Sequence, residues 1–244
     1  MKKILLVTDN DELLNRFKIL VHKNESKFTM LYKFDYAFSF NHKLFLEKFK
    51  NVDWIKPVNV KKDLDSLITD YDMILSLHCK QVFPDNLVNK IKCINIHPGL
   101  NPHNRGWFPQ VFSIINSLPS GATIHEMDEQ IDHGKVICQK QIKIEMWDTS
   151  ITAYDKILDA EIDLLSENLE KILDENYETT IKDEGNLNMK KDFDNLCLID
   201  LDNKDTFKNH INKLRALTHG DYANAYFVDD FGNKVYLKLE LQKA

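Results

Sequence analysis

The chain has 244 residues, 43% of them hydrophobic, which suits one substantial domain or a domain with a small appendage. No apolar run reaches membrane-span length, and Thr8-Asp9-Asn10-Asp11 cuts off the first one, so Ile4–Val7 reads as a core strand, not a signal peptide. A net charge of −6, from 32 basic and 38 acidic residues, argues against a general nucleic-acid surface, and four cysteines (79, 93, 138, 197) without C-x-x-C or zinc spacing suit reduced thiols in the cytoplasm.

After the strand at Ile4–Val7, Asp11 to Val21 carries Leu13, Leu14, Phe17 and Leu20 at helical spacing. Lys61 to Thr69 reads as a short helix and Met73–Leu77 as a second buried strand. Asp85 to Asn89 is a helical turn behind Pro84, and Cys93–Ile96 is the next strand. A helix from Gln110 to Ser117 follows Pro109. Ala122–Glu126 and Val136–Ile144 read as strands, with the Asp132 loop between them. Asp148-Thr149-Ser150 caps a long helix to about Glu175, whose apolar face is Ile157, Leu158, Ile162, Leu165, Leu169 and Ile172. Strands alternating with helices predict a mainly parallel, Rossmann-like, three-layer α/β domain.

The stretch 176–188 is polar and reads as a linker or surface excursion. Beyond it come a helix over Lys204–Leu217 and a hairpin, Ala223–Val228 and Lys234–Leu241, around Asp229-Asp230-Phe231-Gly232-Asn233. The expected organisation is a catalytic domain over 1–180 and a small helix–hairpin unit over 181–244. The first strand lacks a following G-x-G-x-x-G and no G-x-x-x-x-G-K occurs, which disfavours a dinucleotide cofactor and a P-loop.

The chemistry concentrates at Asn95-Ile96-His97-Pro98-Gly99 and, further on, Asp132-His133-Gly134. Asn95 and His97 are two apart at the end of a core strand, so they point to one face, where open α/β sheets place their chemistry. An amide, an imidazole and a carboxylate are what acyl transfer to an amine needs. The amide donates to the oxyanion, the imidazole accepts the proton or, once protonated, donates to the oxyanion, and the carboxylate orients the ring and holds its charge; which group takes the amine proton is left open by the sequence. Taken alone, His97 reads more readily as a hydrogen-bonded histidine at a strand end, and Asp132 also reads as a turn residue. A metal at His97, His103, His125, Asp132 and His133 is conceivable, but no H-E-x-x-H or C-x-x-C spacing supports it, so no metal is expected. Arginine occurs only at 16, 105 and 215, and its rigid fork suits phosphate or carboxylate.

Asn95-Ile96-His97-Pro98-Gly99-Leu100-Asn101-Pro102, Arg105-Gly106, Pro109, Gly121 to His125 and Ile131 to Gly134 together resemble the folate-dependent formyltransferases, over about 72–147. That family's Asn-x-His and later Asp-x-Gly fall on Asn95, His97 and Asp132. Gly99-Leu100-Asn101 stands where the family often reads Ser-Leu-Leu, a change that bears on the acceptor more than on the reaction. The resemblance implies 10-formyltetrahydrofolate as donor, with His78, Cys79, Lys80, Gln81, Phe83 and Asp128 lining its site. The wording His78-Cys79-Lys80-Gln81, Asn104 to Gln110 and Arg215 to Tyr222 is similar to enzymes that formylate dTDP-linked 4-amino-4,6-dideoxy sugars. It implies acceptor contacts at Asn104, Arg105, Trp107, Arg215, Tyr222 and Asn224, with the arginines or Lys80 on the pyrophosphate and Tyr222 on the thymine. It also implies a role in O-antigen lipopolysaccharide or another surface polysaccharide, and a homodimer through the tail hairpin. Nucleic-acid and membrane partners are not expected. The alternatives are methionyl-tRNA formylation, which calls for a basic surface and a fuller tail, purine-pathway formylation, which leaves the tail without a purpose, and a non-catalytic folate or nucleotide-sugar binder, which need not keep all three polar residues.

Overall fold

The computed structural model describes residues 1–243. In chain order the elements are β1 (Lys2–Thr8), α1 (Asp11–Lys23), α2 (Glu25–Phe28), β2 (Tyr32–Ser39), α3 (Lys43–Lys48), β3 (Ile55–Val58), α4 (Leu64–Asp70), β4 (Met73–Leu77), α5 (Asp85–Val88) and β5 (Lys92–His97). Then follow β6 (Arg105–Gly106), α6 (Pro109–Asn116), β7 (Ser120–Glu126), β8 (Val136–Ile142), α7 (Ser150–Leu173), β9 (Leu187–Asn188), α8 (Lys190–Cys197), α9 (Phe207–Leu217), β10 (Ala225–Val228) and β11 (Lys234–Leu237).

Seven strands form one sheet in the order β3-β2-β1-β4-β5-β7-β8. The pairs β3/β2, β2/β1, β1/β4 and β4/β5 are parallel, whereas β5/β7 is antiparallel. The mainly parallel, Rossmann-like expectation holds. Strands β1 and β4 are near-continuous apolar runs, buried from Ile4 to Thr8 and from Met73 to Leu77, as parallel strands covered on both faces require. Helix α1 starts where the Asn10 side chain accepts from the Leu13 backbone N–H at 3.0 Å, and it buries Leu13, Leu14, Phe17 and Leu20. The chain first builds outward through β2 and β3, then returns beside β1 with β4, so strand order reverses between β1 and β4. The loops at the carboxyl ends there are where such sheets bind ligands.

The described residues pack as two compact units interleaved in sequence. One comprises Met1–His97, Thr123–Gln139 and Glu161–Lys182; the other comprises Pro98–Ala122, Lys140–Ala160 and Asp183–Ala244. The second unit thus takes in two stretches that precede residue 180 as well as the tail after Lys182. The first unit has an apolar core that includes Leu5, Val7, Ile74, Leu87 and Cys93. The second packs Val111, Phe112, Ile114, Phe193, Ala216 and Leu217 together, with Ala225 of the hairpin.

Several sequence expectations shift. The stretch 176–188 is not only a linker, because β9 lies in it and pairs in parallel with β6. Strands β2 and β3 and helices α2, α3 and α8 lie outside the expected elements. Edge strand β3 carries Pro57, which weakens its strand signal, and β2 is buried only at Tyr32 and at Ala37 to Ser39. The last hairpin strand ends at Leu237, short of Leu241.

Candidate active site

Three of the expected residues meet inside the first unit. His97 ends β5 and is buried, and Asn95 stands two residues before it. Asp132 arrives on the loop between β7 and β8 with a left-handed backbone, φ 48°. Two residues on, a Cβ at Gly134 would collide with the Glu126 carbonyl, so the Asp-x-Gly spelling lets the loop close against β7. The Asn95 amide donates to Asp132 Oδ1 at 2.8 Å, and Asp132 Oδ2 lies 3.4 Å from His97 Nδ1.

A fourth residue completes the cluster. His125 pairs with Asn95 across the antiparallel β5/β7 register. Its Nδ1 lies 2.7 Å from the Glu126 carbonyl, which can only accept, so Nδ1 carries a proton. In the neutral ring Nε2 then accepts from Asn95 Nδ2 at 3.3 Å, and it stands 3.7 Å from Asp132 Oδ1. The two Asn95 amide hydrogens are thus engaged by Asp132 and His125, which correlates the position of the amide with both. His125 stands within the Gly121–His125 motif, but linear spacing carries no sign of its place beside Asn95, because only strand pairing brings the two together.

The residues expected around a folate also lie in the first unit, with mixed roles. His78 follows β4 in a left-handed conformation, φ 58°, and its Nε2 sits 2.9 and 2.8 Å from the two carboxylate oxygens of Glu161. Glu161 is fully buried. Burial pushes its pKa up while His78 and Arg16 pull it down, and the net direction is upward. The Lys80 backbone N–H donates to Asp9 Oδ2 at 2.8 Å, and the same buried carboxylate accepts from the Ser39 N–H at 2.8 Å and from its hydroxyl at 2.5 Å. Asp9 therefore ties the ends of β1 and β2 to the loop after β4. Burial, with Asp9 nearby, pushes the Cys79 thiol up to about 12, so Cys79 is a neutral thiol and not a nucleophile. Asp128 accepts from the Gln130 N–H and lies 2.9 Å from His133 Nδ1.

Four expected ligand side chains are committed to the framework. Phe83 is buried in the first unit's core. The Gln81 amide bridges the Val60 N–H and the Val58 carbonyl. In the second unit Arg215 donates through Nη1 to the Glu145 and Asp148 carbonyls and through Nε to Asn212 Oδ1. Asn224 Nδ2 donates to the Leu217 carbonyl at 3.0 Å. Also in that unit, Asn104 is fully buried at φ 51°, Arg105 pairs with Glu184, and the Trp107 N–H donates to the Asn188 carbonyl. Tyr222 is 68% exposed. Apart from this tyrosine, the acceptor residues read from the tail serve as local fasteners, a role that linear spelling does not distinguish from ligand contact.

Residues 8–169 match the formyl transferase family. The chain belongs to the formyltransferase family. Residues 192–243 match a second model, the N-formyltransferase dimerization C-terminal domain. The chain is similar to the dTDP-4-amino-4,6-dideoxyglucose formyltransferase of Mycobacterium bovis, with 48% identity over 187 residues that cover 75% of this chain and 79% of that protein. It resembles the crystal structure of a 4-N formyltransferase from Francisella tularensis, with a TM-score of 0.93 and 46% identity over 100% of this chain and 99% of that one. An N-formyltransferase from Helicobacter canadensis, solved in complex with folinic acid and dTDP-3-aminofucose, shares the fold at 21% identity, with a TM-score of 0.69 over 88% of this chain and 80% of that one. This formyltransferase is an enzyme of the transferase class, which sets aside the non-catalytic binder. Among the described residues no helix is long and apolar enough to cross a membrane.

Proposed function

We propose that the enzyme transfers the formyl group of 10-formyltetrahydrofolate to the amine of a dTDP-linked 4-amino-4,6-dideoxy sugar, for a surface polysaccharide such as O-antigen. The observation that carries this reading is the convergence of Asn95, His97 and Asp132, whose donor set fits acyl transfer to an amine. The acceptor class draws support from the 48% identity to an enzyme named for such a sugar and from the full-length likeness to a 4-N formyltransferase. The match of residues 192–243 to an N-formyltransferase dimerization domain supports a homodimer through the tail. It also weighs, with the net charge of −6, against methionyl-tRNA as acceptor. In function, the catalytic part is assigned to residues 1–180 and the dimer contact to 181–244. The folate supplies an activated formyl carbon, and the main chain from His78 to Lys80 is our choice for its cradle.

The chain's own residues do the rest. The amine attacks as the neutral base, so a proton must leave it, and the formyl oxygen gains negative charge as it does. His97 handles the proton, which ends on the folate nitrogen as the bond from that nitrogen to the formyl carbon breaks and tetrahydrofolate leaves. Asp132, 3.4 Å from Nδ1, orients the ring and balances its positive charge. Asn95 donates to the developing oxyanion. To do so it gives up the longer of its two contacts, the 3.3 Å one to His125, and keeps the 2.8 Å bond to Asp132. One such donor contributes roughly 3–4 kcal/mol of transition-state stabilisation.

The test presents the pure enzyme with 10-formyltetrahydrofolate and a panel of dTDP- and UDP-linked amino sugars, with charged initiator tRNA alongside, and follows the one-carbon mass gain. The expected gain is on a dTDP-linked 4-amino sugar. Gain on the tRNA alone would overturn the reading.

A further inference from the structure

Glu161 sits on α7, in the part of that helix that belongs to the first unit, and is fully buried. A buried carboxylate outside the Asn95 cluster calls for a partner. His78 Nε2 lies 2.9 and 2.8 Å from its two oxygens, so both grip the ring. The Arg16 guanidinium adds positive charge from α1. His78 is the first residue after β4, and its left-handed φ of 58° is a conformation that a side chain with a Cβ disfavours. The pair therefore acts on a residue whose backbone needs holding. Two residues on, Asp9 accepts from the Lys80 N–H at 2.8 Å, and the Gln81 amide bridges Val58 and Val60. Between these holds, the Cys79 N–H and carbonyl meet no main-chain partner among the described residues. The loop is thus fastened by side chains while peptide groups at its middle stay available. It leaves the carboxyl end of β4 beside β1, where strand order reverses.

We propose that Glu161 is a positioning residue for the donor: through the His78 ring it sets the left-handed turn, and so holds the main chain from His78 to Lys80 in the shape that receives the folate. The inference rests on the folate donor proposed above and adds to it a residue from another element. It also changes the part given to His78. The imidazole is a strut against α7, and the ligand meets peptide groups that the strut leaves unspent. A carboxylate at 161 does what an apolar side chain would not. Two acceptor oxygens on one ring nitrogen fix the rotation of the ring, which packing alone leaves freer. The loop, its holds and the Asn95 cluster all lie in the first unit.

Isothermal calorimetry with folinic acid tests this on the full-length wild type, Glu161→Gln, His78→Gly and the double variant, with thermal melts on the same preparations. Glu161→Gln keeps the volume but turns one of the two acceptor oxygens into a donor, so it binds folinic acid about fivefold weaker, the scale of one lost hydrogen bond. His78→Gly still allows the left-handed turn but removes the strut, so it loses at least as much. In that background Glu161→Gln changes folinic acid binding by less than about twofold, because the carboxylate acts through the ring. In turnover assays Glu161→Gln raises the KM for 10-formyltetrahydrofolate in step with the binding loss and leaves kcat within about twofold of wild type. Unchanged folinic acid binding by Glu161→Gln, whatever its melting temperature, overturns the proposal, as does an equal loss in both backgrounds. A fall in kcat at unchanged donor KM overturns it too, by putting Glu161 in the chemistry. Each of those results leaves the proposed function standing. A wild type that binds neither folinic acid nor tetrahydrofolate removes the folate donor and this proposal with it.

Discussion

Asn95 and Asn104 each centre a polar cluster, one in each compact unit, and their amides are engaged in different company. Around Asn95 the partners are titratable: Asp132 and His125 take its N–H groups, and His97 lies beyond Asp132 at 3.4 Å. Around Asn104 the side-chain partners are neutral. Its Nδ2 donates to the Ser113 hydroxyl, its Oδ1 accepts from Asn116 and Asn186 at 3.1 and 2.7 Å, and its own N–H donates to Asn186 Oδ1. The first cluster mixes a short bond with contacts of 3.3–3.7 Å and can rearrange as protons move. The second has nothing to gain or lose with pH and fixes a left-handed turn, φ 51° at Asn104. A buried network of changeable charge is suited to chemistry, and a network of neutral amides to shape. Stability and rate should therefore separate between the two.

The largest effect is expected from the titratable cluster. His97→Ala or Asp132→Asn should lower turnover by at least about a hundredfold, the scale of general acid–base catalysis, with little change in melting temperature. Steady-state rates and thermal melts on the same preparations check this. Near wild-type turnover in either variant would remove the catalytic reading of that cluster and with it the contrast.

Asn104→Ala should do the reverse. It leaves the amides of Asn116 and Asn186 without their shared acceptor in a buried site, at a cost of about 1–3 kcal/mol in unfolding free energy. Urea denaturation followed by tryptophan fluorescence would show the loss. The turnover of the remaining folded enzyme should fall much less than in the His97 variant. A drop in rate without a drop in stability would mean that the Asn104 cluster takes part in the chemistry.

The linear sequence exposed these clusters unevenly. Asn95, His97 and Asp132 were legible because two lie on one strand and the third carries its own turn glycine. His125, Asp9 and Glu161 were not, because each acts on a distant segment: His125 across β5/β7, Asp9 on Ser39 and Lys80, and Glu161 on His78. Phe83 and Gln81 stand within the motif read as pocket lining, yet one packs in the core and the other bridges main-chain groups. A motif marks a segment without saying which of its side chains face out. The sheet followed from its apolar runs except at β2 and β3, where partial burial and Pro57 blurred the pattern.

The smallest effect sharpens the comparison within the first unit, at the buried His78–Glu161 pair, which is titratable yet lies outside the Asn95 cluster. Burial raises the Glu161 pKa above its ordinary 4.5. The unfolded chain therefore gives up this proton at lower pH than the folded protein does. The stabilisation tied to the proton is complete below the ordinary value and is lost as pH rises through the higher folded one. Wild-type stability should accordingly decline above about pH 4.5 by no more than about 1.4 kcal/mol per pH unit from this group. Glu161→Gln removes the ionisation, so its stability–pH curve should run flatter than wild type over that range, whatever its absolute offset. Denaturation midpoints for both proteins at several pH values between about 4.5 and 8 measure the difference in slope. Parallel curves would mean that the carboxylate is compensated by His78 and Arg16 at every pH, and that a titratable pair in this unit can serve shape as neutrally as the amides around Asn104.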